Sequence, residues 1–128
     1  MSNFEGRNEW IGIDSPGGFG YNQVMTSTEK EILRTLRGLL EERVHLYSLV
    51  AFGSRARGDA TGESDYDVLV VLDGIADPST ERHRCADAIY SICWDHDAVV
   101  LCHFISRDRF EREQSPYLLN IRREGVPA

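Results

Sequence analysis

The chain has 128 residues, of which 21 are acidic and 14 basic, and a formal net charge of −7. This length allows one compact domain with a single core. The acidic balance argues against a protein whose main task is to bind a nucleic-acid backbone, which needs the opposite charge. No stretch approaches the roughly 20 apolar residues needed to cross a bilayer. Three cysteines without a secretion signal indicate reduced thiols. We therefore expect a soluble cytoplasmic protein without a membrane partner.

Residues 1–26 differ in composition from the rest of the chain. They contain five of the eleven glycines and one short apolar patch, Trp10–Ile13. The run PGGFG at 16–20 is typical of a turn or loop. We expect a flexible leader over 1–26 and one folded domain over 27–128.

The first ordered elements are predicted from apolar spacing. Thr28 and Glu31 match a capping box and precede apolar residues at helical intervals, which predicts a helix over 28–46. Tyr47–Phe52 is a short apolar run that stops at a glycine and is typical of a buried strand. Tyr66–Leu72 has the continuous apolar character of a second buried strand.

The second half alternates between helices and strands. Asp77, followed by proline, predicts a helix start, and residues 97–104 (DAVVLCHF) predict the third strand. Ser106 is a candidate cap for a short helix through Glu111. A last helix begins after Ser115 and ends at a glycine. This order predicts an α/β (α+β) fold: a small mixed sheet flanked by helices.

The segment 53–67, GSRARGDATGESDYD, contains the residues with the clearest chemistry. Gly53 and Ser54 follow a buried strand, where a glycine lets backbone N–H groups approach a phosphate closely. Asp65 and Asp67 begin the next strand two residues apart, so their carboxylates project to the same side. Paired carboxylates and phosphate oxygens are the ligands that Mg²⁺ prefers. The segment therefore predicts a site for Mg²⁺ and a nucleoside triphosphate.

Asp97 is the candidate for a third acid in this site. It directly precedes the apolar run of the third predicted strand and would complete a cluster with Asp65 and Asp67 if the two strands are neighbours. It would bind the metal or take the acceptor's proton. Asp95 is the alternative candidate, although it is better explained as a residue at the end of the preceding helix.

For each of the other polar residues near the motif, the sequence leaves two possible roles open, one functional and one structural. Arg55 and Arg57 could bind phosphates or the acceptor, or they could be solvated loop residues. Ser64 is a further candidate for cofactor binding, and its alternative role is to cap a turn. Cys102 and His103 are adjacent on the predicted strand and point in opposite directions, so no shared zinc site is predicted.

Gly53-Ser54, ten residues and Asp65-x-Asp67 resemble the signature of the DNA polymerase beta-like nucleotidyltransferase superfamily. The resemblance is greatest to the small prokaryotic branch, the minimal nucleotidyltransferases (MNT), and covers about residues 28–125. Four further features agree with that branch: the helix before the motif, the run VLVVL after it, the run DAVVL, and the ending SPYLLNIRREG. Val126-Pro127-Ala128 replaces its usual apolar or aromatic tail, which puts C-terminal packing or dimerisation in question.

The resemblance implies an Mg²⁺-dependent enzyme that transfers AMP, or another nucleoside monophosphate, from ATP or a related triphosphate to an acceptor hydroxyl. Some members of the branch are antitoxins that adenylylate a tyrosine of a HEPN-domain toxin, so we expect a HEPN toxin as the partner. Two alternatives stay open. The protein could bind nucleotide and partner without catalysis. Alternatively, it could transfer the nucleotide to a small molecule such as an aminoglycoside, with the binding site completed by a second subunit, for example in a homo-oligomer.

Overall fold

The computed structural model describes residues 25–58, 65–74 and 77–128. Ser64 and residues 1–24, which make up nearly all of the predicted leader, lie outside the described residues. In chain order the described elements are α1 (Ser27–Arg43), β1 (Leu46–Phe52), α2 (Ser54–Arg57), β2 (Tyr66–Leu72), α3 (Pro78–His96), β3 (Val100–Ser106), α4 (Arg107–Arg112), α5 (Pro116–Glu124) and β4 (Val126–Pro127).

The strands form one mixed sheet in the order β3-β2-β1-β4. β1 pairs antiparallel with β2 and β4, and β2 pairs parallel with β3. The α/β fold class predicted from the element order is therefore confirmed. None of the helices in the three described ranges is both long enough and apolar enough to span a bilayer.

Apolar side chains cover both faces of the sheet. Val68 and Val70 of β2 join a core with Leu36 and Leu40 of α1 and Ile92 of α3. Leu69 and Val71 of β2 pack on the other face of the sheet in a second core, which α4 and α5 cover. This burial on both faces explains why VLVVL is continuously apolar instead of alternating.

Helix α1 begins at Ser27, one residue earlier than predicted, and its cap lies two residues earlier than the predicted Thr28. The capping box is made by Thr26 and Glu29: the Glu29 N–H donates to the Thr26 hydroxyl at 3.1 Å, and the Thr26 N–H donates to the Glu29 carboxylate at 2.7 Å. The predicted pair of Thr28 and Glu31 is wrong because the same spacing occurs twice in this segment, and the earlier copy caps the helix. The helix also ends at Arg43 instead of residue 46, since Leu46 already belongs to β1.

The later helices begin where the sequence predicted. Asp77, Ser106 and Ser115 each cap a helix by accepting a backbone N–H. Strand β4 was not predicted: the short tail Val126–Pro127 pairs with β1, and the Ala128 N–H donates to the Leu49 carbonyl at 2.8 Å. The tail thus covers the free edge of β1, and a proline is acceptable at such an edge.

We expect Gly38→Ala to stabilise the fold and Gly125→Ala to destabilise it. Gly38 lies within α1, and no described atom would come within 4 Å of an added Cβ. Alanine there should raise the free energy of unfolding by about 0.5–1 kcal/mol. A Cβ at Gly125 would lie 2.5 Å from both the Ile121 carbonyl oxygen and Val50 Cγ1. Urea unfolding of the two variants measures both effects, and a stabilising Gly125→Ala would contradict this packing.

Candidate functional site

The turn after β1 lies directly against a carboxylate of β2. Gly53 has φ 78° and ψ −158°, and α2 begins at the next residue, Ser54. The register of β1 and β2 places Phe52 opposite Asp67. A Cβ at Gly53 would lie 2.5 Å from Oδ2 of Asp67. Only a glycine fits both this positive φ and this close approach.

The two acids of the motif occupy the start of β2 as predicted. Asp65 directly precedes the strand and is exposed, whereas Asp67 is its second residue and is half-buried. Burial is the main cause that raises the pKa of Asp67, and the charge of Asp65 raises it further. The charges of His103 and Arg57 oppose this rise in the Asp67 pKa. The carboxylates are thus close enough to repel each other, an arrangement that a bound cation would relieve.

The two arginines of the loop lie in different surroundings. Arg55 pairs with Glu29 at 2.8 Å, and its guanidinium lies 4.2 Å from the ring centroid of Tyr66. Tyr66 is buried and points to the face of the sheet opposite Asp67. These contacts favour a structural role for Arg55 over a role in binding phosphates or the acceptor. Arg57 is exposed, lies 3.4 Å from Glu124 and acts electrostatically on Asp67, so it is the arginine beside the acids.

Asp97 does not begin β3, so this prediction is wrong. Helix α3 continues to His96, and Asp97 is its C-cap with φ 50° and ψ 50°. Residues 98 and 99 complete the turn from helix to strand, and β3 starts at Val100. Asp97 lines a cavity of about 620 Å³ together with Trp94 and Glu29, and Asp67 is not among its lining residues.

The predicted cluster of three acids is therefore not formed by these side chains. Within 25–58, 65–74 and 77–128, no three Asp, Glu, His or Cys residues are grouped so that they could hold a metal ion. The described site contains two carboxylates. Ser64, the remaining predicted residue, belongs to the segment 59–64, which the structure leaves undescribed.

Three rings that sequence reasoning did not assign to the site lie near Asp67 and contact one another. The ring of His103 lies 5.7 Å from that of Phe52, and the Tyr117 ring lies 6.0 Å from Phe52 and 6.3 Å from His103. Burial raises the pKa of Tyr117, and the charge of Asp67 raises it further, so this phenol lies within electrostatic reach of the acid. The site is thus a pair of carboxylates bordered by a glycine turn and by three rings, of which Phe52 directly precedes that turn.

Residues 33–124 match the family of nucleotidyltransferase domains. The chain belongs to this family. The matched range runs from α1 to the end of α5 and contains the glycine turn and both acids of β2. It confirms the resemblance to the minimal nucleotidyltransferases that the Gly-Ser and Asp-x-Asp motifs indicated.

A protein of Methanocaldococcus jannaschii that bears the name "putative protein adenylyltransferase" is similar to this nucleotidyltransferase domain. The two are 44% identical over 54 residues, which cover 42% of this chain and 54% of the relative. The aligned segment thus spans about half the length of that relative.

The position of His103 could have been found by counting along β3. Once Val100 is taken as the first residue of the strand, alternation places Leu101, His103 and Ile105 on one face. A strand that starts at Asp97 has the same alternation, but its first polar residue is Asp97, and this residue was therefore predicted as the third group of the site. Tyr117 had no sequence signal, because its place over the sheet depends on how α5 packs.

Proposed function

We propose that this protein is an Mg²⁺-dependent nucleotidyltransferase that moves AMP from ATP to a hydroxyl of a partner protein. The partner proposed from the family resemblance is a HEPN-domain toxin, with this protein as its antitoxin. The observation that carries the proposal is the contact between the Gly53 turn and Asp67. It brings a candidate phosphate-binding turn and a pair of acids together at one edge of the sheet.

The donor set fits a magnesium ion. Asp65 and Asp67 offer carboxylate oxygens that lie near each other, and Mg²⁺ commonly binds one or two carboxylates together with substrate phosphates and water. When bound, the ion would neutralise charge on the triphosphate during transfer. A third protein ligand is not required by this chemistry.

The residues of the chain have separable roles in the transfer. The turn at Gly53 leaves room for the triphosphate, and the Ser54 hydroxyl adds a hydrogen-bond donor there. The acceptor oxygen attacks the α-phosphorus, and a new oxygen–phosphorus bond forms. The bond from the α-phosphorus to the bridging oxygen breaks, its electron pair leaves with pyrophosphate, and the hydroxyl proton passes to water at the exposed edge.

Three observations support a protein as the acceptor. The net charge of −7 disfavours a nucleic-acid acceptor, because phosphates would be repelled. The relative from Methanocaldococcus jannaschii is named as a protein adenylyltransferase. In addition, Tyr117 and Leu119 of α5 are exposed and offer apolar contact area for a partner.

The proposal predicts a covalent change in the partner. The purified protein, Mg²⁺, ATP and the proposed HEPN-domain partner, sought in the product of the neighbouring gene, are mixed, and the intact partner is weighed by mass spectrometry. We expect a mass increase of one AMP or a small multiple, which places a charged phosphodiester on the target. Asp67→Asn is the matched control and should give no increase.

The same experiment distinguishes catalysis from inhibition by contact. If Asp67→Asn neutralises the partner as well as the unaltered protein does, with no mass change in either case, the protein acts as a binding module. If both proteins add AMP equally, the acids of β2 are not the transfer site.

A further inference from the structure

Strand β3 presents one polar side chain to the face of the sheet that carries Asp67. The parallel register pairs Asp67 with Leu101, Leu69 with His103 and Val71 with Ile105. Paired residues of neighbouring strands project to the same face. Leu101 and Ile105 have no polar group. His103 is therefore the residue of β3 that can add hydrogen-bonding chemistry beside the two acids.

The imidazole of His103 is held at the site by its neighbours. The rings of Phe52 and Tyr117 lie 5.7 Å and 6.3 Å from it, and Phe52 is also the register partner of Asp67. Such tilted and edge-on ring contacts are favourable and restrict the orientation of a side chain. His103 lies within electrostatic reach of Asp67. These contacts keep a hydrogen-bonding group near the acids, although the side chain is exposed.

Space for an acceptor adjoins the imidazole. A cavity of about 480 Å³ is lined by His103, Tyr117, Arg82 and Arg109, among others. It lies on the β3 side of Asp67, whereas Gly53 contacts Asp67 from the β1 side. Asp67 does not line this cavity, but an acceptor held in it beside His103 would lie on the other side of Asp67 from phosphates at the glycine turn.

We propose that His103 is the third polar group of the transfer site and that its imidazole accepts a hydrogen bond from the acceptor hydroxyl. This role rests on the proposed function. It takes the place that sequence reasoning gave to Asp97, which caps α3 and lines a different cavity. The hydrogen bond orients the acceptor oxygen toward the α-phosphorus, and correct orientation of reacting atoms is a major contribution to rate.

The test compares AMP transfer from ATP to the HEPN-domain partner for four single variants. His103→Ala should lower kcat by about ten- to a hundredfold, the range expected for one positioned polar group. The KM for ATP should stay within about twofold, because the contact is to the acceptor and not to the triphosphate. His103→Gln retains a hydrogen-bond acceptor and should recover part of the loss. His83→Ala, at an exposed histidine of α3, is the matched control, and Asp97→Asn tests the rival residue.

The outcomes separate this role from the proposed function. If the unaltered protein transfers AMP and His103→Ala does so at the same rate, the role of His103 is overturned while the function stands. If Asp97→Asn loses transfer and His103→Ala does not, Asp97 is the third group. If the unaltered protein transfers no AMP, the proposed function fails and this role fails with it. Because His103 is exposed, His103→Ala should also melt at the temperature of the unaltered protein.

Discussion

Asp65→Asn and Asp67→Asn should each lower AMP transfer by about a thousandfold or more, which corresponds to at least ~4 kcal/mol of lost transition-state stabilisation. In the proposed mechanism both carboxylates are needed because they would be the protein ligands of Mg²⁺, and an amide oxygen without charge is a much poorer ligand. The measurement is kcat/KM for transfer to the partner, beside calorimetric titration with ATP and Mg²⁺. Full transfer by a variant that carries both Asp65→Asn and Asp67→Asn would show that these two acids do not form the site.

The same Asp67→Asn variant should be folded and at least as stable as the unaltered protein. Burial raises the pKa of Asp67 above its ordinary value, so the ionised carboxylate costs folding free energy at neutral pH. The stability gained by the variant should be complete above the pKa of Asp67 in the folded protein. It should disappear as the pH falls below the ordinary aspartate value, where both folded and unfolded chains are protonated. Thermal melting at several pH values checks this, and a large loss of stability would mean that Asp67 has a structural role.

Gly53→Val should weaken the binding of a non-hydrolysable ATP analogue at least about tenfold, a loss of ~1.4 kcal/mol or more. The first added carbon would come within 2.5 Å of Asp67 Oδ2, so the carboxylate must move from its place in the site. The substitution also forces a residue with a side chain into φ 78°, which costs about 1–2 kcal/mol of stability. Isothermal calorimetry measures the affinity and urea unfolding the stability.

Gly74→Ala separates these two effects when it is compared with Gly53→Ala. Gly74 has nearly the same backbone angle, φ 79°, but no described atom lies within 4 Å of an added Cβ. It therefore reports the backbone strain alone. We expect both alanine variants to lose stability and only Gly53→Ala to lose affinity for the analogue. Unchanged affinity in Gly53→Val would place the phosphates away from this turn.

Local patterns predicted most of the elements, and the errors occur where two local patterns compete. The threonine-glutamate spacing of a capping box occurs twice before α1, and packing decides in favour of the copy at Thr26, beside the buried Met25. The apolar run after α3 begins at residue 98, yet the chain uses residues 97–99 to leave the helix. Strand β4 has two residues and pairs only because α5 ends next to β1. Such a short strand has no periodicity that a sequence can show.

The sequence by itself determined the pair of acids, because the alternation of side chains along extended backbone predicts Asp67 of β2 and Asp65, which directly precedes it, on the same side without any other element. It also determined the glycine turn, since Gly53 follows directly on an apolar strand. Tertiary structure alone decided which residues meet that pair. The register of β1 on β2 brings Gly53 against Asp67. The parallel register of β3 pairs His103 with Leu69 and so puts His103 on the same face as Asp67, whereas Asp97 caps the helix before the strand. Registers are set by the packing of both sheet faces against distant helices, so they depend on contacts that no local pattern contains.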